Sequence, residues 1–178
     1  MKALKLVGET VTLSNVLNDN YAEELAEAAN DPIIPELIGG HNFPHPYLKE
    51  DAINFFHMNR EDGKQAFAMD FIIFYGEKIA GVIGLKDIDY EDHKAHVGYW
   101  VGKTFRSMGV ATEALGLICN FCRETLSIRR LHTGVLENNV ASMKVLLKNG
   151  FSIEGYEKDS MYLNGRYVSM FRFARILP

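Results

Sequence analysis

"FRSMGVATEAL" (105–115) carries the chain from an apparent strand into a helix, with an arginine, a serine, a methionine and a bare glycine in the turn. After it, apolar residues fall at 111, 115, 118, 122 and 126, close to helical period. The first turn of a helix presents N–H groups without intrahelical partners and a partial positive charge, so such a handover suits an anion. Gly109 lets the backbone approach a ligand, Ala111 keeps the approach open, and Arg106 can add a charge-assisted contact. The helix dipole alone contributes about 0.3–2 kcal/mol, so several amides and the arginine must act together. The competing reading of these residues is a plain loop glycine beside a solvated arginine. The spacing is not that of a Walker loop, nor of the dinucleotide fingerprint.

The bulk of the chain narrows the partners. Its 178 residues, 47% hydrophobic and 24% charged, suit one globular domain over 1–178. A formal charge of −4 leaves no basic footprint for nucleic acid, and the mild acidic excess is compatible with a cationic substrate. "MKALKLVGETVTL" lacks the apolar run of a signal peptide, and no later stretch approaches a membrane span. The expectation is a cytoplasmic protein, monomer or homodimer, with Cys119 and Cys122 as reduced thiols. "CNFC" (119–122) lies inside the predicted helix and reads as core packing. His41, His45 and His57 lack metal-ligand spacing, so no metal is expected. His41 and His45 could line an acceptor cleft.

On either side of the opening stretch the elements follow from pattern. "ETVTLSNV" (9–16) alternates like a strand; 18–31 reads as a helix capped near Asn18 or Asp19 and stopped by Pro32. Residues 32–47 hold four of the five prolines and read as a loop; 48–63 reads as a second helix. Strands over 66–75, 78–89 and 94–102 are joined by short connections, which favours an antiparallel meander. Beyond the central helix come a strand (129–137), a short helix (139–150) with Asn139 at its cap and Gly150 past its end, and two strands around Asn164–Gly165, a strong hairpin signal. The order is an α/β (α+β) fold: a mixed, mostly antiparallel seven-stranded sheet with about four flanking helices.

Three stretches in this order, "AHVGYWVGKTFRSMGVATEAL" (95–115), "ENNVASMKVLLKNGF" (137–151) and "YLNGRYVSMFRFARIL" (162–177), resemble the GNAT family of N-acetyltransferases, and within it the branch that acetylates ribosomal-protein N-termini. The resemblance implies acetyl-CoA as co-substrate, without a metal, and an amine as acceptor. The segment Arg106, Met108, Gly109, Val110 and Ala111 would wrap the diphosphate, with the Thr112 hydroxyl nearby. The strand at Gly98–Val101 would diverge from the one at Leu131–Leu136. The thioester would lie in the gap, held by main-chain groups near Trp100 and Val101. Asn139 and Ser142 would meet the pantetheine arm and the sulfur.

Three departures from the family pattern stand out. Relatives often carry a tyrosine where this chain has Leu146, a glutamate where it has His96, and another glutamate where it has Met161. Ser142 is then the candidate proton donor to sulfur, against a helix-capping role. His96 is the candidate base, against a structural histidine; Glu154 and Tyr162 rank behind it.

Chemistry bears on the acceptor as well. At pH 7 an α-amine costs roughly 1.4 kcal/mol to neutralise and a lysine about 4.6 kcal/mol, so a site without a strong base suits an α-amine. The first expectation is a protein N-terminus, ribosomal or otherwise. The alternatives are a small amine such as a polyamine or aminoglycoside, and an acyl-CoA-binding module without turnover.

Overall fold

The computed structural model describes residues 3–38, 43–60 and 67–178. Within these residues eight strands form one sheet: β1 (Lys5–Val7), β2 (Val11–Ser14), β3 (Met69–Tyr75), β4 (Lys78–Asp89), β5 (Lys94–Val101), β6 (Arg130–Leu136), β7 (Ser152–Leu163) and β8 (Arg166–Ile176). Among the described residues five α-helices accompany them: α1 (Ala22–Ala29), α2 (Ile33–Ile38), α3 (Lys49–Arg60), α4 (Val110–Glu124) and α5 (Val140–Lys148). The strand order is β1-β2-β3-β4-β5-β6-β8-β7. Every neighbouring pair is antiparallel except β5–β6.

The meander expected over 66–102 is present as β3–β4–β5. The Asn164–Gly165 turn has φ of 49° and 81° at its two central residues, as a tight hairpin requires. Two elements exceed the expectation. β1 adds an eighth, edge strand; three residues are too few to show a period, and the strand is tied down by the Leu4 N–H donating to Asn15 Oδ1 at 2.7 Å. α2 forms inside the proline-rich stretch read as a loop. Asp31 accepts from the Ile33 N–H, and Pro32 and Pro35 occupy positions around the first turn, where a missing N–H costs nothing.

The sheet is covered on both faces. Phe71, Ile73, Ile83, Leu85 and Val97 point to α4, where they meet Leu115, Ile118 and Cys122. Ile72, Ile79 and Val82 point the other way, to Leu25 of α1 and to Ala52 and Phe56 of α3. β3 thus reads as a near-continuous apolar run, because both of its faces are buried. The buried stripe of α4 is Val110, Ala114, Leu115, Ile118, Cys119, Phe121 and Cys122. Ala111 and Leu126, assigned to that stripe from spacing, are only partly buried. Both cysteines are free and buried, and burial lifts the Cys122 thiol to about 12. Among the described residues no helix is long and apolar enough to cross a membrane.

The one parallel pair is also the point where the sheet splits. β5 and β6 are in register only at Lys94–Arg130, Ala95–Leu131 and His96–His132. Beyond His96, β5 stays with β4 as far as Val101, while β6 stays with β8 as far as Leu136. The two strands separate into a wedge that opens toward the start of α4 on one side and of α5 on the other.

Candidate functional site

A short 3-10 turn (Lys103–Phe105) carries the chain from β5 to α4. Ser107 and Gly109 are both left-handed, with φ of 62° and 83°. Glycine at 109 follows from that angle, which L side chains rarely adopt. A backbone that turns in and out of the left-handed region gathers successive N–H groups on one side, an arrangement that binds anions. The first helical bond of α4 runs from the Glu113 N–H to the Gly109 carbonyl at 3.0 Å. The amides of Val110, Ala111 and Thr112 therefore precede the ladder. Among the described residues, no protein acceptor is found for them or for the amides of Ser107, Met108 and Gly109. Val110 offers only its amide, since its side chain is in the core, while Met108 is half-exposed.

Other contacts hold this turn in place. Arg106 donates from Nε to the Val101 carbonyl at 3.2 Å, and its Nη2 pairs with Asp31 Oδ2 at 2.9 Å. The guanidinium thus braces the end of β5 against the α1–α2 junction. Glu113 accepts from the Thr10 N–H at 2.9 Å, the Thr10 hydroxyl and the Val11 N–H at 3.2 Å, fastening the β1–β2 turn to α4. Burial works against its charge, but the Thr10 hydroxyl and the backbone amides win and hold its carboxyl below the usual glutamate value. Asn149 Nδ2 donates to the Thr112 carbonyl at 3.1 Å and to Val145 at 3.0 Å, linking the end of α5 to the start of α4. That link gives the asparagine of "NGF" a physical role.

At the other mouth of the wedge, Asn139 caps α5 by accepting from the Ser142 N–H at 3.1 Å. Its amide donates to the Leu37 carbonyl of α2 at 3.2 Å. The Ser142 Oγ lies 2.9 Å from the Tyr99 hydroxyl, which also reaches the Ser142 carbonyl at 3.3 Å. Burial pushes Tyr99 up to about 12, against the hydrogen bond to Ser142. This hydroxyl pair spans the opening from β5 to α5. The only sequence signal for Tyr99 is alternation along "HVGYW", which sets it opposite His96, Gly98 and Trp100.

On the face of the sheet away from α4, a cleft of about 1080 Å³ reaches the wedge. Its walls include Phe43 and Tyr47 from the loop before α3, Asp51 and His57 from α3, and Asp70, His96 and Trp100 from the sheet. Trp100 packs edge-on against Phe43, with ring centroids 5.9 Å apart. His96 sits at the last β5–β6 rung, its ring 5.6 Å from that of His132. Burial, then His132, then Lys86 depress its pKa, so it is neutral at pH 7.

Asp70 is a lone carboxylate inside an apolar strand, and that contrast is its only signal in the sequence. Burial raises it to about 6, against the attraction of Lys86. The weaker candidates lie elsewhere. Glu154 is paired with Arg130, and Tyr162 packs edge-on against Tyr167 in the outer hairpin. His45 is exposed, and His41 lies outside the described residues.

A helix start lined with unclaimed amides, beside a sheet that splits at its one parallel pair, defines a protein shaped for a long anionic ligand. The chain belongs to the acetyltransferase (GNAT) domain family, whose profile matches residues 11–152.

Among curated proteins it is 29% identical over 114 residues to the ribosomal-protein-serine acetyltransferase of Escherichia coli (strain K12), covering 64% of each chain. The three curated relatives matched first are spanned over 64%, 52% and 39% of their own lengths. Among solved structures, RimL, a ribosomal L7/L12 α-N-protein acetyltransferase in complex with coenzyme A, superposes with a TM-score of 0.87. The two are 24% identical, and the superposition covers 98% of both chains. The microcin C7 self-immunity acetyltransferase MccE, in complex with acetyl-CoA and AMP, superposes at 0.81 with 27% identity, over 95% of this chain and 93% of that one.

Proposed function

We propose that the protein transfers the acetyl group of acetyl-CoA to the α-amine of a peptide or protein N-terminus, a ribosomal protein being the first acceptor to try. The observation that carries this reading is the junction of three features at one wedge: the amide-lined start of α4, the parted strands β5 and β6, and the Tyr99–Ser142 hydroxyl pair across the gap.

The amides of Ser107 to Thr112 suit a diphosphate, being six main-chain donors at one helix start. The pantetheine arm then runs along the free edge of β5 beyond His96, where main-chain groups up to Trp100 lack a strand partner on the β6 side. Its amides meet pantetheine in the way a neighbouring strand would. Asn139 serves by holding the first turn of α5, and so Ser142, in position.

Acetyl transfer needs a donor for the oxyanion and a proton for the departing sulfur. An N–H on the free edge of β5 supplies the first. The Tyr99–Ser142 pair supplies the second: a phenol held near 12 keeps its proton at pH 7 and can pass it to a thiolate.

The acceptor enters from the opposite side, through the cleft walled by α3 and the sheet. Asp51 and Asp70 give that cleft an acidic lining that favours an ammonium. A ribosomal-protein acceptor would be met in the cytoplasm, the compartment this reading proposes.

The experiment is a free-thiol release assay with acetyl-CoA against peptides with a free α-amine, spermidine and an aminoglycoside. The reading predicts release with the peptides foremost. Release only with a small amine would move the acceptor; coenzyme A binding without release from any amine would leave a binding module.

A further inference from the structure

Asp70 is a carboxylate set in an apolar strand, and neither the helix start nor the Tyr99–Ser142 pair engages it. Its rung across the sheet is Asp70–Gly84–Gly98, spanning β3, β4 and β5. Two glycines in succession leave that face bare of side chains. Asp70 fills the space: its Oδ1 lies 2.0 Å from the place a Cβ on Gly84 would take. The carboxylate therefore folds across β4 toward β5. Strands lie about 4.8 Å apart, so it reaches to roughly one strand spacing from Gly98. Gly98 is two residues past His96, where β5 has just lost β6.

Among the described residues no hydrogen-bond donor is found for Asp70, and Lys86 on β4 is the charge that acts on it. The other titratable groups facing this cleft are Tyr47, Asp51 and His57 on the α3 side and His96 and Tyr99 on β5. A partly buried carboxylate that faces the cleft without a fixed donor favours an incoming cation.

We infer that Asp70 receives the acceptor's ammonium and takes its proton before attack, directly or through one water. This rests on the acetyl-transfer reading and names the base for it. The carboxylate removes one proton from the ammonium, and the freed lone pair forms the C–N bond at the thioester carbon while the carbonyl π pair moves to oxygen. As the carbonyl reforms, the C–S bond breaks. The nitrogen's second proton passes through the Tyr99 and Ser142 hydroxyls to sulfur. Asp70 returns its proton to water, so the products are an amide, a thiol and one proton. Burial raises Asp70 to about 6, which leaves it ionised at pH 7 and a better proton acceptor than an exposed aspartate.

The test compares wild type, Asp70→Asn and His96→Gln in thiol release from acetyl-CoA with a peptide bearing a free N-terminal serine. It reads kcat/KM across the acid and neutral range and coenzyme A affinity by calorimetry. The expected result is an acid limb near pH 6 in wild type that persists in His96→Gln. Asp70→Asn falls by about 10²–10⁴-fold with coenzyme A affinity unchanged. An unimpaired Asp70→Asn, or an acid limb that vanishes in His96→Gln, overturns the inference and leaves acetyl transfer standing. A wild type that releases no thiol with any amine instead removes the reading beneath it. Should Asp70→Asn not bind coenzyme A at all, the His96→Gln profile decides: limb kept supports Asp70, limb lost overturns it.

Discussion

The Tyr99 hydroxyl and the Ser142 Oγ stand 2.9 Å apart, joining the last strand before the wedge to the first turn of the helix beyond it. Neither residue is near the other in sequence. Their meeting depends on β5 and β6 parting at His96–His132 and on Asn139 fixing the turn that holds Ser142. Removing the hydroxyl with Tyr99→Phe keeps the ring in place but breaks the hydroxyl pair that the proposed function makes the proton source for sulfur. Steady-state assays are expected to show kcat lowered on the order of 10²-fold, with coenzyme A affinity little changed. Ser142→Ala is expected to cost less, because Tyr99 retains the Ser142 carbonyl at 3.3 Å.

Gly109→Ala tests the helix start. With φ at 83°, a side chain there costs about 1–2 kcal/mol, and the turn relaxes away from the geometry that aims its amides. Calorimetry is expected to record roughly tenfold weaker coenzyme A binding, since about 1.4 kcal/mol is a factor of ten.

Arg106→Leu separates bracing from ligand contact. It leaves the largely buried Asp31 carboxylate without its cation, at a cost of about 1–3 kcal/mol in urea unfolding. Asp31→Asn combined with Arg106→Leu is expected to recover part of that loss. If the recovered double variant also regains coenzyme A affinity, the guanidinium acts through the fold.

Much of this was legible in advance, and the exceptions share a physical cause. The central turn and the Asn164–Gly165 hairpin are set by local signals, a left-handed glycine and an Asn–Gly pair, whereas the parting of β5 from β6 was expected from the family resemblance and its limit at His96 is seen only in the strand pairing. β1 is too short to carry a period. α2 exists because Asp31 caps it while pairing with Arg106, 75 positions away, which no local pattern discloses. Tyr99 and Asp70 were hidden for the same reason. A tyrosine or an aspartate gains its meaning only from what lies across the wedge or across two glycines on neighbouring strands.

Glu113 carries the pH dependence of the fold's front edge. Its carboxyl is held below the ordinary value of 4.5, so its contribution is complete above that pH and is lost as pH falls through the lower, folded value. Glu113→Gln is expected to lower stability by on the order of 1 kcal/mol near neutrality, after solvent screening. The gap to wild type should close in acid. Gly8→Ala should reproduce the loss, because a Cβ there would stand 2.1 Å from Glu113 Oε1. Chemical denaturation at several pH values checks both.

Acceptor choice follows from proton cost. The difference between an α-amine and a lysine amine is about 3 kcal/mol at pH 7, or on the order of 10² in rate if the site treats them alike once neutral. A peptide with a free N-terminus and a blocked lysine should therefore outrun its mirror, blocked at the N-terminus and free at lysine, in the thiol-release assay.

The most direct measurement of the central claim is a calorimetric titration with coenzyme A and, separately, with pantetheine, which shares the arm and thiol but has no diphosphate. If the main-chain amides from Ser107 to Thr112 provide the grip, coenzyme A binds at least 10²-fold more tightly than pantetheine, and Gly109→Ala narrows the gap. Equal affinities, or a gap untouched by that substitution, would contradict the account.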